Sequence, residues 1–166
     1  MYIHSTNNII NKNNLINVKQ PVYLKPKGYW YANNNDWIVW AKKNMYTTYK
    51  YKYEVKINYT KLGVPDKHKI LLLKNRKDII DFTIKFGNKL KKLYDTDPFD
   101  IIVIDWIEVA KLYGGIEIML TRIEPSSLIA KKFKTPKGYI LWIDSFDIQC
   151  GCVWNVKSFE VIKKIN

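Results

Sequence analysis

Arginine is almost missing from this chain. Of its 28 basic residues only Arg76 and Arg122 are arginines; the other 26 are lysines. Base-edge reading and bidentate phosphate clamps draw on the guanidinium fork, so this composition argues against recognition of one particular nucleic-acid sequence. Cysteine is scarce as well. Cys150 and Cys152 stand two apart, and the two histidines, His4 and His68, are distant in sequence. That set is too small for a zinc site, and no metal is expected. Residues two apart on a strand share a face, which is awkward for a disulfide, so a reducing, cytoplasmic setting is expected. No apolar run approaches the roughly 18 residues of a membrane span. The polar stretch from Met1 to Asn17 lacks the apolar centre of a secretory signal. No membrane association is expected.

What is abundant is lysine, with 23 Ile and 15 Asn beside it. Those three together point to an A/T-rich coding sequence, so part of the +13 net charge reflects codon usage. The remainder is a diffuse lysine field that attracts any polyanion. Hydrophobic residues make up 47% of 166, enough to fill the core of one domain spanning 1–166.

Along the chain, Asn7 to Asn17 reads as a polar loop or short irregular helix. Pro21 and Pro26 make residues 19–27 extended and turn-like. Gly28-Tyr29-Trp30-Tyr31-Ala32 has the aromatic content of a strand. Trp37, Ile38, Trp40 and Ala41 give a short helix one apolar face after the capping run Asn33 to Asp36. Tyr51, Tyr53, Val55 and Ile57 alternate with polar residues, which predicts a half-buried strand, and Lys69 to Lys74 encloses a second, buried one. Ile79, Phe82, Phe86 and Leu90 recur at helical steps, predicting a helix over 77–93. Asp95-Thr96-Asp97-Pro98 breaks the chain; Asp95, Asp97 and Asp100 lack the spacing and glycine of a calcium loop. Residues 101–112 are ambiguous: Ile101 to Ile104 could form a strand and Trp106 to Leu112 a helical turn. Strands are expected at Gly115 to Leu120, Tyr139 to Ile143 and Cys150 to Asn155, and a short helix at Ser126 to Lys132. His68 reads as a solvated turn residue. The mix is α+β, with strands dominating the second half.

Three short segments could carry chemistry. Each has a plain reading. A lone histidine in Ile3-His4-Ser5-Thr6 is most often structural. The aromatic run from Gly28 to Ala32 can be core. Gln149-Cys150-Gly151-Cys152-Val153-Trp154-Asn155 can be a strand that closes a sheet. In this order, however, they resemble the ADP-ribosyltransferase superfamily, in its poly-ADP-ribose-polymerase and diphtheria-toxin branch and in the RNA 2′-phosphotransferases. There a first strand carries His-Gly-Ser or His-x-Thr, a second carries Gly-x-Tyr-Phe-Ala, and a late strand begins with a catalytic Glu. His4-Ser5-Thr6 is similar to the first motif. Gly28-Tyr29-Trp30-Tyr31-Ala32 is similar to the second, with Trp30 at the tyrosine position. The third resembles Cys150 to Asn155.

The resemblance implies a split, strand-rich, two-sheet α+β fold with short helices. It also implies an NAD-dependent ADP-ribosyltransferase acting on a protein or nucleic-acid acceptor, with NAD as its substrate. His4, with Ser5 or Thr6, would then hold a ribose, and Trp30 with Trp37 or Trp40 would sandwich the nicotinamide beside Gly28, Tyr29 and Tyr31. Breaking the nicotinamide glycosidic bond builds positive charge that a carboxylate stabilises. Here the chain departs from the pattern, because Cys150 stands where the family has Glu. Glu117 or Asp147 could supply the acid, Gln149 could orient the acceptor's nucleophile, or transfer has been lost and a degenerate NAD-binding module remains. Glu117 sits between two isoleucines, so exposure is its default; Gly114 and Gly115 beside it leave room for a ligand. A non-catalytic nucleic-acid-binding domain is a further reading, on tyrosines 49, 51 and 53 among lysines. Alternation counts against it, since it turns the tyrosines toward the core.

Overall fold

Alternation along 51–57 and the apolar run at 70–73 build strands as expected. The computed structural model describes residues 1–46, 49–90, 101–119, 134–135, 138–139 and 142–165. In chain order the strands are β1 (Tyr2–Thr6), β2 (Val22–Tyr23), β3 (Tyr29–Asn33), β4 (Tyr51–Ile57), β5 (Tyr59–Thr60), β6 (Asp66–Leu73), β7 (Gly87–Leu90), β8 (Ile101–Asp105), β9 (Tyr113–Ile118), β10 (Lys134–Thr135), β11 (Gly138–Tyr139), β12 (Cys150–Val153) and β13 (Phe159–Ile165). The α-helices among the described residues are α1 (Asp36–Lys43), α2 (Arg76–Phe86) and α3 (Trp106–Leu112). None is long and apolar enough to cross a membrane.

The architecture is α+β and strand-rich. Eight strands form one sheet in the order β13-β4-β1-β3-β12-β9-β6-β5, and a second sheet runs β10-β11-β8-β2 with β7 also on β8. From β13 to β9 every neighbour in the large sheet is antiparallel, whereas β9, β6 and β5 run parallel. The three motif-bearing strands β1, β3 and β12 are therefore consecutive at its centre. Their register sets rows across the sheet. One row is Glu117, Gly151, Tyr31, His4 and Tyr53; the next is Ile118, Cys150, Ala32, Ile3 and Glu54. Pleating points adjacent rows to opposite faces.

One face packs on α2, α3 and the 3-10 turn Trp142–Ser145, around the fully buried Phe82, Trp106 and Trp142. Each such side chain contributes about 1.5–3 kcal/mol by leaving water. The indoles keep their N–H groups satisfied: Trp142 donates to Thr83 Oγ1 at 2.8 Å, Trp154 to the Tyr113 carbonyl at 2.7 Å, and Trp106 to the Tyr23 carbonyl at 3.0 Å. The other face is rich in tyrosine. Tyr53 accepts a hydrogen bond from the Ile10 N–H, and the Tyr29 hydroxyl bonds both the N–H and the carbonyl of Ile16. Those bonds strap the Asn-rich segment, with its 3-10 turn Lys12–Asn14, against the sheet.

Two expected elements change. The helix over 77–93 ends at Phe86, where the Gly87 N–H closes on the Thr83 carbonyl and the chain leaves as β7 to pair with β8. The helical spacing runs on through Leu90, but strand pairing with Ile101 to Ile104 takes those residues instead. Of the strand expected at Tyr139 to Ile143, Tyr139 belongs to β11, residues 140–141 lie outside the described residues, and Trp142–Ser145 is a 3-10 turn, closed by the Ser145 hydroxyl on the Trp142 carbonyl at 2.7 Å. His68 is exposed, as expected, but belongs to β6 rather than a turn. The break at Asp95 to Pro98, the Asp100 position and the helix at Ser126 to Lys132 lie outside the described residues.

Candidate functional site

Period-two alternation splits the expected site residues between the two faces of the large sheet. On the helical side Trp30, Ser5 and Cys150 meet Trp37 from α1 around a cavity of about 240 Å³. Lys25 enters from the segment before β3, and its ammonium sits 4.5 Å from the Trp30 ring centroid, a cation–π distance. Ile3 and Ala32 supply apolar floor, while Tyr31 and Tyr49 complete the lining. The cavity is below the roughly 300–1,000 Å³ of sites that enclose a drug-sized ligand. It fits one planar ring rather than a whole dinucleotide. None of its described lining residues is acidic. Glu54, opposite Ile3 on β4, pairs with Lys163 at 3.5 Å and does not line it. Cys150 and Cys152 are free, and burial pushes the Cys150 thiol up to about 12. It is therefore a poor nucleophile at neutral pH.

On the opposite face lies Glu117, 1% exposed. The expectation of exposure fails because this face is covered too. Its carboxylate accepts from Tyr2 at 3.3 Å and Gln149 Nε2 at 3.3 Å on Oε1, and from Tyr31 at 2.7 Å and from Tyr59 on Oε2. Tyr31 reaches it by lying over Gly151, which separates the two in the row. A Cβ at Gly151 would stand 2.6 Å from Tyr31 Cε1. Burial, and then the charge of Glu117, hold the Tyr31 and Tyr59 hydroxyls well above the ordinary tyrosine range, so both stay protonated and donate. A carboxylate offers about four lone-pair sites, and four donors occupy them. Glu117 is thus held by four donors of its own chain.

His4 shares the Glu117 face, two strands beyond Gly151, with Tyr31 between. Its Nδ1 lies 2.6 Å from the Trp30 carbonyl. A carbonyl only accepts, so that bond assigns the proton to Nδ1. Burial lowers the imidazole's pKa from 6.5, with the Trp30 carbonyl opposing. Well above pH 6.5 folded and unfolded chains both hold it neutral. Below that value the unfolded chain takes up the proton first, so the His4 contribution to stability is lost as the pH falls. Urea midpoints measured from pH 7.5 downward should decline less steeply below pH 6.5 in His4→Gln than in the parent chain; parallel declines would remove His4 from the cause.

Thus the structure brings Glu117, Gln149, Tyr31 and His4 to one face, and Ser5, Trp30 and Trp37 to the other. Gly28 and Tyr29 do not line the cavity; Thr6 accepts from the Asn8 N–H at 3.2 Å, and Asp147 is exposed before β12. Sequence reasoning missed Lys25, Tyr2 and Tyr59, and named Tyr49 only for the nucleic-acid-binding reading. Parity along β3 already separates Tyr31 from Trp30, but only inter-strand register shows which of them faces His4. Among the described residues no three His, Cys, Asp or Glu side chains gather as metal ligands. Comparison with protein-family models, with curated proteins and with solved structures finds no match to this chain.

Proposed function

We propose that the chain is a binding module for a nucleotide-type ligand, NAD included, one planar ring of which enters the Trp30–Trp37 cavity, and that it does not transfer ADP-ribose. The observation that carries this reading is a cavity lined by two tryptophans and a lysine, with no carboxylate among its described lining residues. Indole faces stack on an electron-poor ring, and Lys25 supplies a cation for the attached phosphate. Glycosidic cleavage needs an anion beside the carbon that becomes cationic. Of the two acids expected for that role, Glu117 is taken up by four donors on the other face and Asp147 does not line the cavity. The three-motif resemblance to ADP-ribosyltransferases supports NAD as the first ligand to try, in a degenerate form of that architecture.

Titration of NAD, AMP and nicotinamide against tryptophan fluorescence tests this. Trp30→Ala and Lys25→Ala should each weaken binding, the former about 10–100-fold, as loss of one ring stack predicts. His4→Gln should leave it unchanged, because His4 is on the far face. Melting curves of each variant separate lost binding from lost folding. Affinity indifferent to both Trp30 and Lys25 would refute the cavity as the site, and steady release of nicotinamide from NAD would restore the transferase reading.

A further inference from the structure

We propose that the cavity is the inner end of a platform for single-stranded nucleic acid, which continues outward along α1 over Trp37, Trp40 and Tyr46. The proposal rests on the reading of the cavity as a ring site and names its macromolecular ligand. Trp37 lines the cavity and stacks on Trp40, with centroids 5.0 Å apart and planes 23° from parallel. Trp40 in turn stacks on Tyr46 at 5.1 Å and 20°. Core rings of this protein meet at steeper angles, such as 81° for Trp106 on Trp142. The surface stack is instead a run of nearly parallel, offset rings, the arrangement that a further base extends.

The local backbone builds the stack. Trp37 and Trp40 are three apart on α1 and share a face. The helix then ends at Asn44, whose backbone N–H and side-chain amide both donate to the Trp40 carbonyl. Met45 follows in the left-handed region at φ 58°, a conformation that costs a non-glycine residue about 1 kcal/mol or more. The Tyr46 N–H returns to the Ala41 carbonyl at 2.8 Å. That turn lays Tyr46 on Trp40, yet Tyr46 is still 61% exposed, so the outer end of the stack is open.

Charge selects the occupant. Lys42 and Lys43 close α1, Lys25 stands over Trp30, and Lys50 follows Tyr49; the one acid of α1, Asp36, is at its other end. Lysines hold phosphates as point charges and read no base edge, which suits sequence-tolerant binding of a single strand. A membrane surface is the rival occupant, because Val39 and Met45 are exposed nearby. Helices that lie in a bilayer carry a broad apolar face. This one has eight residues, and its rings are spent on one another rather than splayed toward a plane.

Fluorescence anisotropy decides it, with labelled oligothymidylate and oligouridylate of about ten nucleotides, the matching duplex, and AMP as the isolated ring. The single strands should bind more tightly than the duplex, with log affinity falling linearly against log salt. Tyr46→Ala should weaken single-strand binding about tenfold while leaving AMP affinity and the melting temperature unchanged; Trp30→Ala should weaken both ligands. The joint change Lys42→Ala and Lys43→Ala should flatten the salt dependence. Equal affinity for duplex and single strand with no Tyr46 effect would overturn the platform and leave only the lysine field. Tyr46-dependent binding to anionic vesicles without oligonucleotide binding would overturn it in favour of a lipid surface. AMP binding with no single-strand binding would overturn the platform alone. Tyr46-dependent single-strand binding without AMP binding would support the platform and remove the ring-site reading.

Discussion

Glu117→Ala should cost about 3–5 kcal/mol of folding stability, the scale for breaking up a buried charged network, out of the roughly 5–15 kcal/mol that hold a typical domain together. The loss has a direct cause. Removing the carboxylate takes away the acceptor that the hydroxyls of Tyr2, Tyr31 and Tyr59 and the amide of Gln149 share. The Tyr31 hydroxyl, the buried donor of the four, loses its charged acceptor and keeps its desolvation cost. Glu117→Gln keeps one carbonyl oxygen and the side chain's volume, so its loss should be smaller, with the tyrosine hydroxyls reorienting to accept from the new amide. Equilibrium urea unfolding measures both. A Glu117→Ala chain as stable as the parent would show that the cluster is not the anchor its geometry indicates. Tyr31→Phe, combined with Glu117→Ala in a double-mutant cycle, should be strongly non-additive, because one bond is shared. A catalytic role would leave the opposite pattern: near-normal stability with an altered reaction.

The second large effect concerns Gly28, which the family resemblance places beside the ligand. It does not line the cavity. It has φ +155°, and a Cβ there would run into the Val153 carbonyl and stand 2.9 Å from Cys152 Sγ. Gly28→Ala should therefore cost about 3 kcal/mol or more, strain and overpacking each contributing roughly 1–3 kcal/mol. Because β3 and β12 are adjacent central strands, the damage falls on the ladder that positions Trp30 and Cys150 together. Thermal melts and soluble yield test this, and an unchanged melting temperature would refute the close approach of β12 to Gly28. Any ligand binding lost in Gly28→Ala should fall in proportion to the unfolded fraction, whereas the loss in Trp30→Ala should exceed the unfolded fraction that its melting curve gives.

Much of the secondary structure was legible in the residues. Strands at 51–57 and 70–73, the aromatic strand around Trp30 and the short helix over Trp37 and Trp40 follow from the local pattern, while the ambiguous segment 101–112 resolves into a strand and then a helix. The helix end at Phe86 did not, because Gly87 to Leu90 satisfy either pattern and pairing with β8 decided between them. Glu117 was singled out from its glycine neighbours, but its burial and partners were not visible. Tyr2, Tyr31, Tyr59 and Gln149 come from four separate stretches of chain and converge only through sheet order. Ile-Glu-Ile reads as one buried and one exposed face; here both faces are covered, by helices on one side and by tyrosines and the Asn-rich strap on the other.

Composition and periodicity alone settled the α+β class, the scarcity of arginine and the lysine field, because each is a property of residues near one another or of the chain as a whole. They also settled that Trp30 and Tyr31 must point to opposite sides, since a pleated strand allows nothing else. Which side holds a cavity and which a saturated carboxylate was decided by tertiary structure. That choice depends on the register of β1, β3, β12 and β9, set by hydrogen bonds between segments from both ends of the chain. A one-residue shift in that register would exchange the two faces, placing His4 beside Trp37 and Trp30 over Glu117.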